Sequence, residues 1–231
     1  SSDKPLLDPK MRSMTFNHVV PGKFVPTATM QAGGASLQWV IETLIPKNIP
    51  NRYEILLSEA ENKRAADEGL YFLPHIMGER SPYWNPDASG AFIGLAKHQD
   101  RGLMVRAVLE GVAFNLLTCI KAFSENGIKV EQVDVIGGGA GSVLWLQIFA
   151  DVWGIKVRSR SIVEEANSLG AAVTTLVGLG KTNFDLAKSL STITREFMPN
   201  SEVHKNYTQQ HQIFLNGYQA LEPWFSNRFN K

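Results

Sequence analysis

Residues 130–158 constrain what this chain can fold into more than any other stretch. An apolar run through Val133, Val135 and Ile136 stops at three glycines, Gly137, Gly138 and Gly139. A short Ala140-Gly141-Ser142 step follows, then an almost wholly apolar helix-length segment and a second β-type run to Arg158. A strand that stops at glycines and feeds a helix presents backbone N–H groups with nothing bulky in front of them. That arrangement suits a phosphate or a nucleotide.

Composition narrows the class. The 231 residues are 44% hydrophobic and 19% charged, an ordinary globular balance. Lys and Arg number 23 against 22 Asp and Glu, so no net field recruits nucleic acid or an anionic membrane. The single cysteine, Cys119, sits in an apolar pattern, which excludes an internal disulfide and points to a small buried residue in a reducing compartment. No signal-peptide pattern and no uninterrupted apolar run of about 18 residues is present. The expected location is the cytoplasm. The chain opens Ser1-Ser2-Asp3 without an initiator methionine, so a fragment is expected.

Residues 14–30 read as two short strands around a Pro21-Gly22 turn, followed by a helix over 37–44 with Ser36 as its N-cap. An amphipathic helix is expected over 52–67, strands over 71–74 and 91–95, and a polar loop between those strands. Apolar spacing through 102–124 predicts a long buried helix. After the glycine turn come a helix over 143–153 stopped at Gly154, a strand over 155–159, and a small-residue helix over 169–179. The tail from about 183 to 231 reads as helical and aromatic-rich, able to pack on the domain or on a partner. Strands alternating with buried helices make an α/β layered domain.

Three chemistries compete for the glycine turn. A P-loop requires a lysine before the Ser/Thr, and Gly141 precedes Ser142, so that reading fails. A dinucleotide fingerprint finds its first two glycines in Gly137 and Gly139 but Ser142 in the third place, with Arg158 and Arg160 available for a 2′-phosphate. The third is an actin-like kinase fold, in which a Gly-Gly turn receives ATP and the reacting chemistry sits on a partner domain.

Other blocks bear on the choice. Tyr71-Phe72-Leu73-Pro74-His75-Ile76-Met77-Gly78-Glu79-Arg80-Ser81-Pro82, the stretch from Asn85 to Leu95, and Arg106-Ala107-Val108-Leu109-Glu110-Gly111-Val112-Ala113-Phe114 resemble the C-terminal domain of the FGGY family of carbohydrate kinases. So do residues 136–142 with Trp145, Gln147, Ala150, Asp151 and Gly154, and residues 164–168 before Leu169-Gly170-Ala171-Ala172. Five blocks fall in the family's order between about residues 14 and 180. Within it the chain looks most like xylulokinases, with gluconokinases next. Gly141 stands where the family commonly has lysine, Ser89 where it has arginine, and Leu103 where it has histidine or another polar residue.

The resemblance implies an actin-like (ribonuclease H-like) ATPase domain, a mixed sheet flanked by helices, spanning residues 1–231. It implies an ATP-dependent sugar kinase, with D-xylulose giving D-xylulose 5-phosphate as the leading reaction. The catalytic base and most sugar and Mg²⁺ ligands would lie in an N-terminal domain outside this chain, so no carboxylate here is expected to be catalytic and the fragment alone is expected to be inactive. Partners would be ATP or ADP, the sugar through that other domain, and a second copy in a homodimer. The expected nucleotide-binding residues are Gly34, Gln38, Gly138, Gly139 and Ser142. Gly34 gives clearance and Gln38 an amide; Gly138 and Gly139 allow close approach to the α-phosphate or ribose, and Ser142 supplies a hydroxyl.

A valine at Gly138 is expected to block the nucleotide, with some loss of stability if that glycine holds a positive φ. Glu79-Arg80 reads either as a catalytic pair or as a salt bridge pinning residues 78–90, Asp151 as a structural anchor, and Glu164 and Glu165 as solvated loop. Trp39, Trp145, Trp153 and Trp224 read as core. The five histidines lack metal-ligand spacing, so no protein-held metal is expected.

Overall fold

The computed structural model describes residues 1–163 and 165–228. Strands β1 (Met14–Asn17) and β2 (Phe24–Thr27) form an antiparallel hairpin, and β3 (Tyr71–Leu73) and β4 (Ala91–Ile93) form another. The third sheet is mixed. β5 (Gln132–Val135) runs parallel to β6 (Lys156–Arg160), and β6 pairs antiparallel with β7 (Ile193–Phe197). Helices α1 (Gly33–Leu44), α2 (Arg52–Ala60), α3 (Arg101–Glu125) and α4 (Val143–Trp153) precede β6; α5 (Ala166–Gly178), α6 (Leu186–Leu190) and α7 (Ser201–Asn227) follow it.

The centre of the fold is α3. Its 25 residues have a mean hydropathy of 1.7 over the most apolar stretch, apolar enough to cross a membrane, yet 78% of that stretch is buried inside the domain. Asp100 caps it by accepting from the Leu103 N–H at 2.9 Å, and Leu103, in the place the family leaves to a polar residue, is core. Gly111 lets α3 lie directly on β3, because a Cβ there would stand 2.1 Å from the Phe72 carbonyl oxygen. Two tryptophans then tie α4 to α3: Trp145 Nε1 donates to the Leu109 carbonyl at 3.1 Å and Trp153 Nε1 to that of Ala113 at 3.0 Å.

A buried polar knot closes the other side of α3. Arg106 Nε meets Glu110 Oε1 at 2.7 Å, and Tyr207 Oη on α7 donates to the same oxygen at 2.8 Å. Glu110 Oε2 accepts the Ala66 N–H at 2.9 Å. That last bond corrects the expected helix over 52–67. The helix ends at Ala60, and the carboxylate captures the following chain into a short 3-10 turn, Ala66–Glu68.

Other expectations are corrected. Ser36 is not an N-cap: α1 starts at Gly33, and Ser36 Oγ donates to the Ala32 carbonyl within the first turn. The tail is not uniformly helical, because Ile193–Phe197 pairs with β6 as a strand. α7 does fold back on the domain, burying Tyr207, Phe214, Tyr218 and Phe225 in the common core. Trp145 and Trp153 are core, whereas Trp39 is 40% and Trp224 58% exposed. The Glu79-Arg80 salt bridge does not form. Arg80 lies over the Trp84 ring, 5.8 Å from its centroid, and contributes only its N–H to Glu79. Glu164 lies outside the described residues, and Glu165 is exposed.

Candidate nucleotide-binding site

The glycine turn joins β5 to α4. Gly137 takes φ +82° with an extended ψ, a conformation open only to glycine, and its N–H donates to the Val163 carbonyl at 2.9 Å. Positive φ therefore belongs to Gly137 and not to Gly138. Gly138–Gly141 then form a 3-10 turn, and Ser142 caps α4 by accepting the Trp145 N–H at 3.2 Å. Its O–H remains able to donate.

Across from this turn stands the start of α1. The first N–H groups of a helix have no intrahelical acceptor, and Ala32 provides no side-chain cap. The chain entering α1 is fixed from below by Glu79. This buried carboxylate accepts four hydrogen bonds, from the N–H groups of Gln31 (2.8 Å) and Arg80 (2.9 Å), from Asn115 Nδ2 (2.9 Å), and from His75 Nδ1 (2.9 Å). Glu79 thus sets where α1 begins, a role hidden from a reading that paired it with Arg80.

Between the two walls is a cleft of about 440 Å³, lined among others by Gly34, Gln38, Gly138, Gly139 and Ser142. All five residues singled out in the sequence meet there. A Cβ on Gly34 or Gly138 would find no atom within 4 Å, so neither glycine is required by packing inside the fold. Gly139 differs, since its Cβ would press on the Trp145 ring at 3.2 Å. Gln38 Nε2 donates to Glu42 Oε1 at 3.1 Å, one turn along α1. The cleft also carries Tyr53 and Leu57 of α2, which the sequence reading did not single out. An aromatic residue beside Leu56 and Leu57 in a charged helix was the available signal.

Two helix N-termini, unencumbered glycines and an apolar-aromatic flank can hold a nucleotide. Among the described residues no carboxylate lines this cleft, and no group of three His, Cys, Asp or Glu able to hold a metal occurs. Arg158 and Arg160 each donate Nε to Asp134, at 2.5 and 2.6 Å, and neither lines this cleft.

The chain resembles known proteins along most of its length. Residues 1–179 match the FGGY family of carbohydrate kinases, C-terminal domain. It is 32% identical to the xylulose kinase of Staphylococcus epidermidis over 86% of this chain and 40% of that protein. It is 34% identical to the gluconokinase of Bacillus licheniformis over 95% of this chain and 44% of that protein. Among solved structures, the ligand-bound xylulose kinase of Lactobacillus acidophilus superposes with a TM-score of 0.83 at 24% identity, covering 98% of this chain and 45% of that one. Plasmodium falciparum glycerol kinase with ADP gives 0.75 at 20% identity, covering 93% and 43%. The chain therefore spans less than half the length of these relatives. The superpositions identify the mixed α/β architecture as the actin-like fold of the sugar kinases, and the chain belongs to the FGGY family of carbohydrate kinases, as its C-terminal domain.

Proposed function

We propose that this chain is the nucleotide-binding half of an ATP-dependent sugar kinase. One observation carries the reading: Gly34 and Gly138, from sequence blocks a hundred residues apart, face the same cleft, and neither is needed by the fold itself. The N–H groups at the start of α1 and the capping hydroxyl of Ser142 would take the phosphates and ribose. Tyr53, Leu57 and Gln38 would take the adenine side. The ADP in the glycerol kinase relative fits this reading.

Mg²⁺ would be held through the phosphates and through groups on another domain; among the described residues the cleft is lined by no acidic side chain. Phosphoryl transfer rests on positioning and charge stabilisation, so it divides readily between two lobes. The base that accepts the sugar hydroxyl proton would lie on the lobe this chain does not include. For the sugar we favour D-xylulose, with gluconate second; both kinds of kinase are about equally similar in sequence.

Titration calorimetry with ADP, MgATP and NADPH tests the nucleotide. ADP and MgATP should bind and NADPH should not. Gly138→Val should lower ADP affinity by about tenfold or more, with little change in melting temperature, because a Cβ at Gly138 finds no protein atom within 4 Å and the cleft lies in front of it. Unaltered ADP affinity in that variant would remove the site assignment.

A further inference from the structure

The carboxylate at the entrance to α1 sits among more polar atoms than its own bonds use. The side chains of Glu79 and His75 are fully buried, and so is Asn115 of α3. The two oxygens of Glu79 divide their work. Oε1 takes the N–H groups of Gln31 and Arg80, joining the segment that leads into α1 to the loop after β3. Oε2 takes Asn115 Nδ2 and His75 Nδ1, which anchor it in the core. A second tie runs alongside, from the Ser81 N–H to the Thr29 carbonyl at 3.1 Å.

The anchors are themselves held. The His75 ring stands edge-on to Tyr83 and to Tyr218 of α7, with centroids 5.6 and 5.3 Å away. Asn115 belongs to the wholly buried stretch of α3. Glu79 therefore refers the position of Gln31, two residues before α1, to the packed half of the domain. Gln31 in turn sets where the uncapped first turn of α1 stands beside the cleft.

Both anchors also keep a second polar face. His75 Nε2 and Asn115 Oδ1 are buried and meet no hydrogen-bonding partner among the described residues. A carboxylate only accepts, so it obliges Asn115 to present its NH₂ and His75 to present Nδ1 with its hydrogen. An amide in its place would let Asn115 turn over and His75 carry its hydrogen on Nε2, each then accepting from the amide NH₂. The other amide oxygen would still hold Gln31 and Arg80.

We propose that Glu79 is a positioning residue for the nucleotide: anchored by His75 and Asn115, it preorganises the first turn of α1 and so sets the affinity of the cleft for ADP. Glu79 does not line the cleft and acts only through the α1 entrance. Apparent affinity falls with the fraction of molecules whose donors are already in place. This role rests on the nucleotide reading of the cleft and adds to it a residue outside the cleft.

ADP calorimetry on the chain, Glu79→Leu and Glu79→Gln tests it, with near-ultraviolet circular dichroism confirming the fold of each. Glu79→Leu should weaken ADP binding by at least about tenfold and speed hydrogen exchange at residues 31–35. Glu79→Gln should restore affinity to within about threefold of the unaltered chain. If Glu79→Leu does not fold, Asn115→Leu carries the test; it removes one anchor, keeps the carboxylate, and should cost about threefold in ADP affinity. A folded Glu79→Leu or Asn115→Leu that binds ADP as the unaltered chain does would overturn the proposal. So would a Glu79→Gln variant that loses as much affinity as Glu79→Leu. Absence of ADP binding to the unaltered chain would remove the nucleotide reading and this role with it, whereas binding that ignores the substitutions removes this role alone.

Discussion

α3 passes through two environments. From Val105 to Asn115 every residue is buried, against β3, α2, α4 and α7. Beyond Asn115, Leu116, Thr118 and Ile120 are only half-buried although the apolar pattern continues. The helices at the two ends repeat the contrast. α7, rich in polar residues, buries six side chains; α5, composed largely of Ala, Gly, Leu, Val and Thr, buries one. Apolar composition and burial therefore part company at the β5–α5 side. A helix whose side chains are apolar but uncovered carries information about what it is built to meet. The α3–α7 side carries its own core, and its stability should depend on its own residues.

That division can be broken first at Glu110. Glu110→Ala leaves the Arg106 guanidinium, Tyr207 Oη and the Ala66 N–H without their shared acceptor inside the closed half. Removing one partner of a buried, hydrogen-bonded ion pair costs about 3–5 kcal/mol. Chemical denaturation should show a loss of that size. A loss under about 1 kcal/mol would mean that this half is not the independent core of the domain.

The second test uses pH. Burial, with the Lys121 charge beside it, lowers the His211 pKa from 6.5 to about 4. The ring is held neutral, with Lys121 Nζ donating to Nδ1 and Nε2 against Thr118 Oγ1, each at 3.1 Å. The unfolded chain binds this proton more tightly than the folded one. Stability is therefore fully present above about pH 6.5 and is lost as pH falls toward 4, by up to about 3 kcal/mol. His211→Gln, compared with the parent across that window, should flatten the slope. An unchanged slope would assign the acid sensitivity to other groups.

The residues that line the proposed cleft were easier to pick out in the sequence than the long-range contacts around them. Gly34 and Gly138 stood out because each lies in a short, ordered block, and such blocks survive as local patterns. The turn itself was also readable, a strand stopping at glycine and a helix opening at a Ser cap. Long-range bonds decided what was misread. The helix over 52–67 stops at Ala60 because Glu110, far along the chain, takes the Ala66 N–H. Glu79 looked like the partner of its neighbour Arg80, yet it serves Gln31, His75 and Asn115. β7 hid in a tail whose aromatic residues suggested helix, since pairing with β6 leaves four of its five residues exposed. Tyr53 drew no attention in the sequence because its place in the cleft depends on α1 and the glycine turn standing opposite it.

The smallest expected effect is the one that most sharpens the contrast between the halves. Leu176 belongs to the apolar face of α5 yet is 39% exposed, so a longer, charged side chain has a path to solvent. Leu176→Arg in the chain alone should change unfolding free energy by no more than about 0.5 kcal/mol, the range of an ordinary surface substitution. The same change at a closed-half position such as Leu109, which is fully buried, would place a charge in the core. If Leu176→Arg instead costs several kcal/mol, the apolar face of α5 already has its cover in the free chain. If the chain tolerates it, the leucine's apolarity is explained by a contact made elsewhere, and urea denaturation of the two variants side by side separates these outcomes.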